Sequence, residues 1–211
     1  MLVFELGLVA PLFASGQAAA TNEFFVFEGD SITAGVGVPA ESNYPSQLMQ
    51  TEFFKRRGEF QNRGQNGDTL GGMLGEYRDQ VYPKRPEAIG TRRTTVFLWA
   101  GINDLPKRSA AEIKLDLEYY WRRAKLHGFT VVAFTLTPRS GGYRLDDAKE
   151  AVRQDVNQWI RTSTIPDHII DVANVLTNSA DSKMFQDGIH PNRKGFELVV
   201  AEIVRVMGSS K

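Results

Sequence analysis

Residues 24–33 read FFVFEGDSIT, an apolar run that ends in Glu28 and Gly29 and passes straight into Asp30, Ser31, Ile32 and Thr33. An apolar run this short, rich in aromatic and β-branched residues and closed by Gly-Asp-Ser, reads as a strand followed by a tight turn toward a helix. Working outward, similar short runs bounded by turn residues lie at 60–63, 95–100, 130–135 and 168–171. Between and after them, segments with helical spacing lie at 44–57, 70–81, 110–127, 146–161 and 191–206. The last is expected to open on Pro191, whose missing N–H is tolerated in a first turn, and to bury Phe196, Val199, Val200, Ile203 and Val204. Strands alternating with helices predict an α/β protein with three layers, α/β/α, a flavodoxin-like fold around a mainly parallel five-stranded sheet.

Composition narrows what such a fold could do. Residues 21–211 carry no Pro, Gly or Ser-rich linker and read as one domain, and a hydrophobic fraction of 42% supplies its core. Lys plus Arg equal Asp plus Glu at 25 each, which removes the broad positive field that draws proteins to nucleic acid or anionic membranes. The basic clusters at 55–57, 92–93 and 122–123 are short and read as solvated surface. With no cysteine in the chain, disulfides, thiol nucleophiles and Cys-ligated zinc are excluded. Residues 1–20 are apolar and end in small residues, as a signal-like or extra N-terminal segment would, which favours export. Against export, no Lys or Arg precedes the run and Glu5 lies inside it; Glu5, Pro11 and Gln17 also argue against stable membrane insertion.

In a parallel sheet, ligands bind outside the carboxyl ends of the strands, and four polar clusters are expected there. The first is Gly29-Asp30-Ser31, where a serine is exposed on a tight turn; Thr33 stands where a Gly-x-Ser-x-Gly elbow would have its second glycine. The second, Asn62 to Thr69, includes Gly67 and can leave backbone N–H groups free for an anion. In the third, Gly101-Ile102-Asn103-Asp104, the Asn103 amide can donate to a developing oxyanion. The fourth is Asp187-Gly188-Ile189-His190, in which a carboxylate three residues before a histidine can orient the ring and leave its other nitrogen to take a proton from a serine. Taken singly, each also reads as a helix cap or an Asx turn. His127 and His168 are weaker bases, one ending a helix and the other opening a strand.

Taken together and in this order, the four clusters resemble the four blocks of the SGNH (GDSL-type) hydrolase family, from about Phe24 to the last helix. Residues 153–161, RQDVNQWIR, are also similar to secreted members. The resemblance implies a serine esterase with Ser31 as nucleophile, His190 as general base and Asp187 holding His190. It further implies an oxyanion hole built from the N–H groups of Ser31 and Gly67 and the side chain of Asn103. Neither a metal nor an organic cofactor is required, and the expected substrate is a small-molecule or carbohydrate ester, with short acyl chains favoured. A wall for such a chain is expected from Leu70, Met73 and Phe185. Asp30 and Asp104 are expected to brace their loops. The alternatives are a carbohydrate O-acetyl esterase and a non-catalytic flavodoxin-like protein that binds an anion.

Overall fold

The computed structural model of the chain describes residues 22–178 and 182–209, so the signal-like reading of residues 1–20 lies outside the described residues. Five strands, β1 (Glu23–Gly29), β2 (Gly58–Gly64), β3 (Arg93–Trp99), β4 (Thr130–Phe134) and β5 (His168–Ile170), form one sheet in the order β2-β1-β3-β4-β5. Every ladder is parallel; Phe27 of β1, for instance, lies opposite Asn62 on one side and Phe97 on the other. Each expected strand is present within two residues of its expected ends.

Eight α-helices accompany the strands among the described residues: α1 (Ser31–Ala34), α2 (Tyr44–Gln50), α3 (Leu70–Gln80), α4 (Pro86–Ile89), α5 (Ala110–Leu126), α6 (Asp147–Thr162), α7 (Val172–Asn178) and α8 (Arg193–Gly208). On one face of the sheet α2 and α7 pack against α8; on the other, α3 and α6 pack against α5. Alternate side chains of each strand therefore enter different layers. Toward α2 and α8 the layer is aromatic: the Phe27 and Phe97 rings stack at 4.6 Å, Trp99 and Phe134 at 5.0 Å, and Tyr44 of α2 meets Phe27 edge-on at 5.6 Å. These rings are fully buried, and their area and geometry make this layer a large share of the stabilising core.

Two expected helix boundaries are corrected. The helix expected at 44–57 ends at Gln50, because Thr51 has extended backbone (φ −67°, ψ 151°) and its hydroxyl donates to Leu48 O. The chain beyond it turns so that Phe54 meets Phe25 edge-on at 5.3 Å. The helix expected from Pro191 begins instead at Arg193, capped by Asn192, whose Oδ1 accepts from Gly195 N at 3.1 Å. Pro191 forms an antiparallel bridge with Phe185, flanked by Gln186 N to His190 O and Asn192 N to Met184 O. Extended pairing has replaced the first helical turn here, and it fixes the backbone on both sides of His190.

Strand order reverses between β1 and β3, whose connections leave in opposite directions. The carboxyl ends of these two strands, where Ser31 follows β1, are the usual ligand position in an open parallel sheet.

Candidate active site

Ser31 opens α1 directly after β1. The Asp30 side chain, not that of Ser31, caps this turn, its Oδ1 accepting from Ile32 N at 2.9 Å, so the Ser31 hydroxyl is left for other work. Gly29 makes the sharp exit from the strand possible: a Cβ there would lie 2.2 Å from Thr33 Oγ1 and 2.6 Å from the carbonyl oxygen of Trp99.

His190 reaches the same point from a loop 159 residues further along the chain. Its Nε2 lies 2.9 Å from Ser31 Oγ, and its Nδ1 lies 2.6 Å from Asp187 Oδ2. Asp187 Oδ1 also accepts from the backbone N–H groups of Ile189 (3.0 Å) and His190 (2.9 Å), which ties carboxylate and ring into one short turn. Because an ionised carboxylate only accepts, the proton sits on Nδ1, and in the neutral ring Nε2 is free to accept from Ser31 Oγ–H. Burial opposes the charge on Asp187, but the hydrogen bonds from the His190 and Ile189 backbone and the His190 ring outweigh it and hold the carboxyl below its ordinary range. Ser31 and His190 are buried, 5% and 9% exposed, whereas the Asp187 side chain is 38% exposed.

Two further predicted residues, Gly67 and Asn103, lie in the loops that follow β2 and β3 at the same carboxyl edge. Asn103 Nδ2 donates to Asp68 O at 2.8 Å, which fixes the amide against the Gly67 loop and uses only one of its two N–H bonds. The backbone N–H groups of Ser31 and Gly67 donate to no group among the described residues. As expected, Asp104 braces this corner: Oδ2 accepts from Leu70 N (3.0 Å) at the start of α3, and Oδ1 accepts from Arg108 (3.1 Å). Asn62 does the same for the serine turn, donating to Thr33 O and accepting from Gly64 N. Under the turn, burial raises Asp30 to about 7 and Glu28 to about 8, so two carboxyls beside the serine are biased toward their neutral forms.

Elsewhere the structure departs from the sequence reading. Leu70 and Met73 are fully buried in the core and cannot wall a substrate; helical periodicity marked them as apolar but not which way the helix would turn. Phe185 alone of the three keeps partial exposure. His127 caps the end of α5 and bonds Tyr77 Oη (3.0 Å), far in sequence from the serine turn, and His168 opens β5. The segment at 153–161 proves to be structural support: Asn157 Oδ1 and Nδ2 bond both backbone groups of Leu136, and Arg153 Nη1 donates to its carbonyl. Sequence reading missed Arg139 and Tyr143, on the loop after β4; the only signal was a cationic residue at a carboxyl strand end, in Thr137-Pro138-Arg139.

A serine hydroxyl bonded to an imidazole that is itself bonded to a carboxylate is an arrangement that can generate a nucleophile. No curated protein sequence matches the chain. Among solved structures, it is similar to a lipolytic protein of the G-D-S-L family from Veillonella parvula (TM-score 0.67, 22% identity, covering 89% of this chain and 98% of that one). It is also similar to an acetylxylan esterase from Geobacillus stearothermophilus (TM-score 0.63, 17% identity, 89% and 94%). A psychrotrophic esterase from a Pseudoalteromonas species, solved with monoethylphosphonate, is comparable (TM-score 0.63, 17% identity, 89% and 97%). At these identities the likeness establishes the fold. The model of the GDSL-like lipase/acylhydrolase family matches residues 27–198, which span the serine turn, the Gly67 and Asn103 loops and the Asp187–His190 turn, and the chain therefore belongs to that hydrolase family.

Proposed function

We propose that the protein is a serine esterase that cleaves carboxylic esters, with short acyl chains preferred, through an acyl-enzyme on Ser31. The observation that carries this reading is the relay from Asp187 through His190 to Ser31, at 2.6 and 2.9 Å. In this mechanism His190 Nε2 takes the Ser31 proton as Oγ attacks the ester carbonyl, and returns it to the departing alkoxide. Water then attacks the acyl-enzyme by the same route, and Asp187 stabilises the transient imidazolium without itself taking the proton. The Ser31 and Gly67 N–H groups and the second Asn103 N–H receive the oxyanion. The relay favours this reading over a non-catalytic anion-binding protein, which has no use for a serine aligned on a histidine.

Asn103→Ala is expected to lower kcat by about 10² to 10³, the usual cost of one oxyanion donor, with a smaller effect on KM. Steady-state kinetics decide it: a change confined to KM would make Asn103 a ground-state contact.

The chain-length preference follows from the loss of Leu70 and Met73 as wall residues. With Phe185 alone partly exposed, methylenes beyond a short chain have little surface to cover, and each one buried is worth only about 0.8 kcal/mol. An acetylated carbohydrate, the kind of substrate named for the similar acetylxylan esterase from Geobacillus stearothermophilus, falls within this reading. Measured across p-nitrophenyl esters, kcat/KM should peak between acetyl and about hexanoyl, since added methylenes gain little once the apolar wall ends. A profile still rising at palmitoyl would mean that an apolar groove accommodates the chain.

A further inference from the structure

The loop after β4 brings a cation close to the loop that carries His190. Its root is rigid, because the buried Leu136 backbone is held by Asn157 (2.7 and 2.8 Å) and Arg153 (2.9 Å). Its far side is locked to the histidine loop: Ser140 N donates to Gly188 O at 2.8 Å, and a Cβ at Gly188 (φ +96°) would fall 2.3 Å from Ser140 O. Tyr143 of the same loop stands edge-on to the His190 ring at 6.4 Å. Arg139 lies between these anchors, its guanidinium carbon 5.9 Å from the Tyr143 ring centre and its charge interacting with Asp30, the neighbour of Ser31.

Arg139 Nε and Nη1 are shielded from solvent and donate to no group among the described residues. Three other arginines that are partly or wholly shielded have acceptors: Arg161 holds Asp171 with two hydrogen bonds, Arg108 bridges Asp104 and Asp116, and Arg153 pairs with Glu150. A shielded guanidinium without an acceptor is costly, and burial accordingly lowers the Arg139 pKa. Asp30 does not fill the gap, since its Oδ1 serves Ile32 and its Oδ2 bonds nothing among the described residues. What Arg139 lacks is an anionic acceptor of planar geometry, and the carboxyl edge of the sheet, at which its loop lies, is where substrate would bind.

Resting on the esterase reading above, we propose that Arg139 is a specificity-determining residue whose guanidinium binds a carboxylate carried by the substrate, so that the preferred esters bear a negative charge near the scissile bond.

Two matched pairs test this, each comparing a neutral ester with a carboxylate-bearing one. On the acyl side the pair is p-nitrophenyl butyrate and p-nitrophenyl hemiglutarate; on the alcohol side it is butyl acetate and 4-acetoxybutyrate, followed by pH-stat. The wild type should favour the charged member of one pair by about tenfold or more in kcat/KM, the scale of one charge-assisted hydrogen bond, and that pair locates the carboxylate on the acyl or alcohol side. Arg139→Gln should lower kcat/KM for the charged ester about tenfold more than for its neutral partner, mainly through KM, and Arg139→Lys should retain part of the preference. Absence of a preference in both pairs, or equal loss on charged and neutral esters in Arg139→Gln, would overturn the proposal while leaving the esterase reading intact. If the wild type cleaves none of the four esters and takes no fluorophosphonate label, both readings fall together.

Discussion

Ser31→Ala is expected to leave a folded protein that no longer takes a fluorophosphonate label and whose kcat for ester hydrolysis falls by about 10³-fold or more, as loss of a triad member does. The fold should survive because the turn does not depend on this hydroxyl. Asp30 supplies the cap of α1, Gly29 the close passage by Trp99, and Asn62 the tie to Thr33, while among the described residues Ser31 Oγ bonds only His190. A residual rate over water should persist, since the N–H donors and the binding surface remain. Intact-protein mass after labelling and circular dichroism of the variant give the two readouts. Undiminished labelling of Ser31→Ala would place the nucleophile elsewhere.

His190→Ala should lose as much activity as Ser31→Ala, and combining the two substitutions should cost little more than either alone. Nucleophile and base act as a unit, so their effects do not add. Asp187→Ala should be milder, retaining about tenfold to a hundredfold more activity than His190→Ala, as the orienting carboxylate of a triad does. Two structural features support that order. The Asp187 side chain is 38% exposed and reaches the serine only through His190, and the His190 loop is also held by the Phe185–Pro191 bridge and the Gln186 and Asn192 backbone bonds. Kinetics of the three single variants and the Ser31/His190 double variant check the pattern. Near-additive losses would mean that His190 does not act on Ser31.

Much of the fold was legible because the relevant signals are local. Runs such as 95–100 and 130–135 are too short and too apolar for anything but buried strands once turn residues bound them, and helical spacing in 110–127 gave α5 within one residue. The errors came where a distant partner outvoted local preference. Pro191 looks like a helix start until the chain at Phe185 offers it a bridge, and the apolar pattern through 44–57 conceals the extended Thr51 that turns Phe54 onto Phe25.

The sequence by itself determined the chemistry on offer: one serine on a strand-ending turn, one Asp-x-x-His, and an Asn and a Gly in loops at the same sheet edge. These were readable because residue type and turn position are properties of a few neighbouring residues. Only the tertiary structure decided that Ser31 and His190, 159 residues apart, meet at 2.9 Å, that Asn103 is fixed on Asp68 O, and that Leu70 and Met73 face the core. It alone put Arg139, whose Nε and Nη1 have no acceptor among the described residues, on a loop tied to the histidine turn. The physical reason is the same in each case: strand order and register fix which loops share an edge, and helix rotation fixes which side chains are buried. Both are set by packing across the whole sheet, which no short stretch of sequence contains.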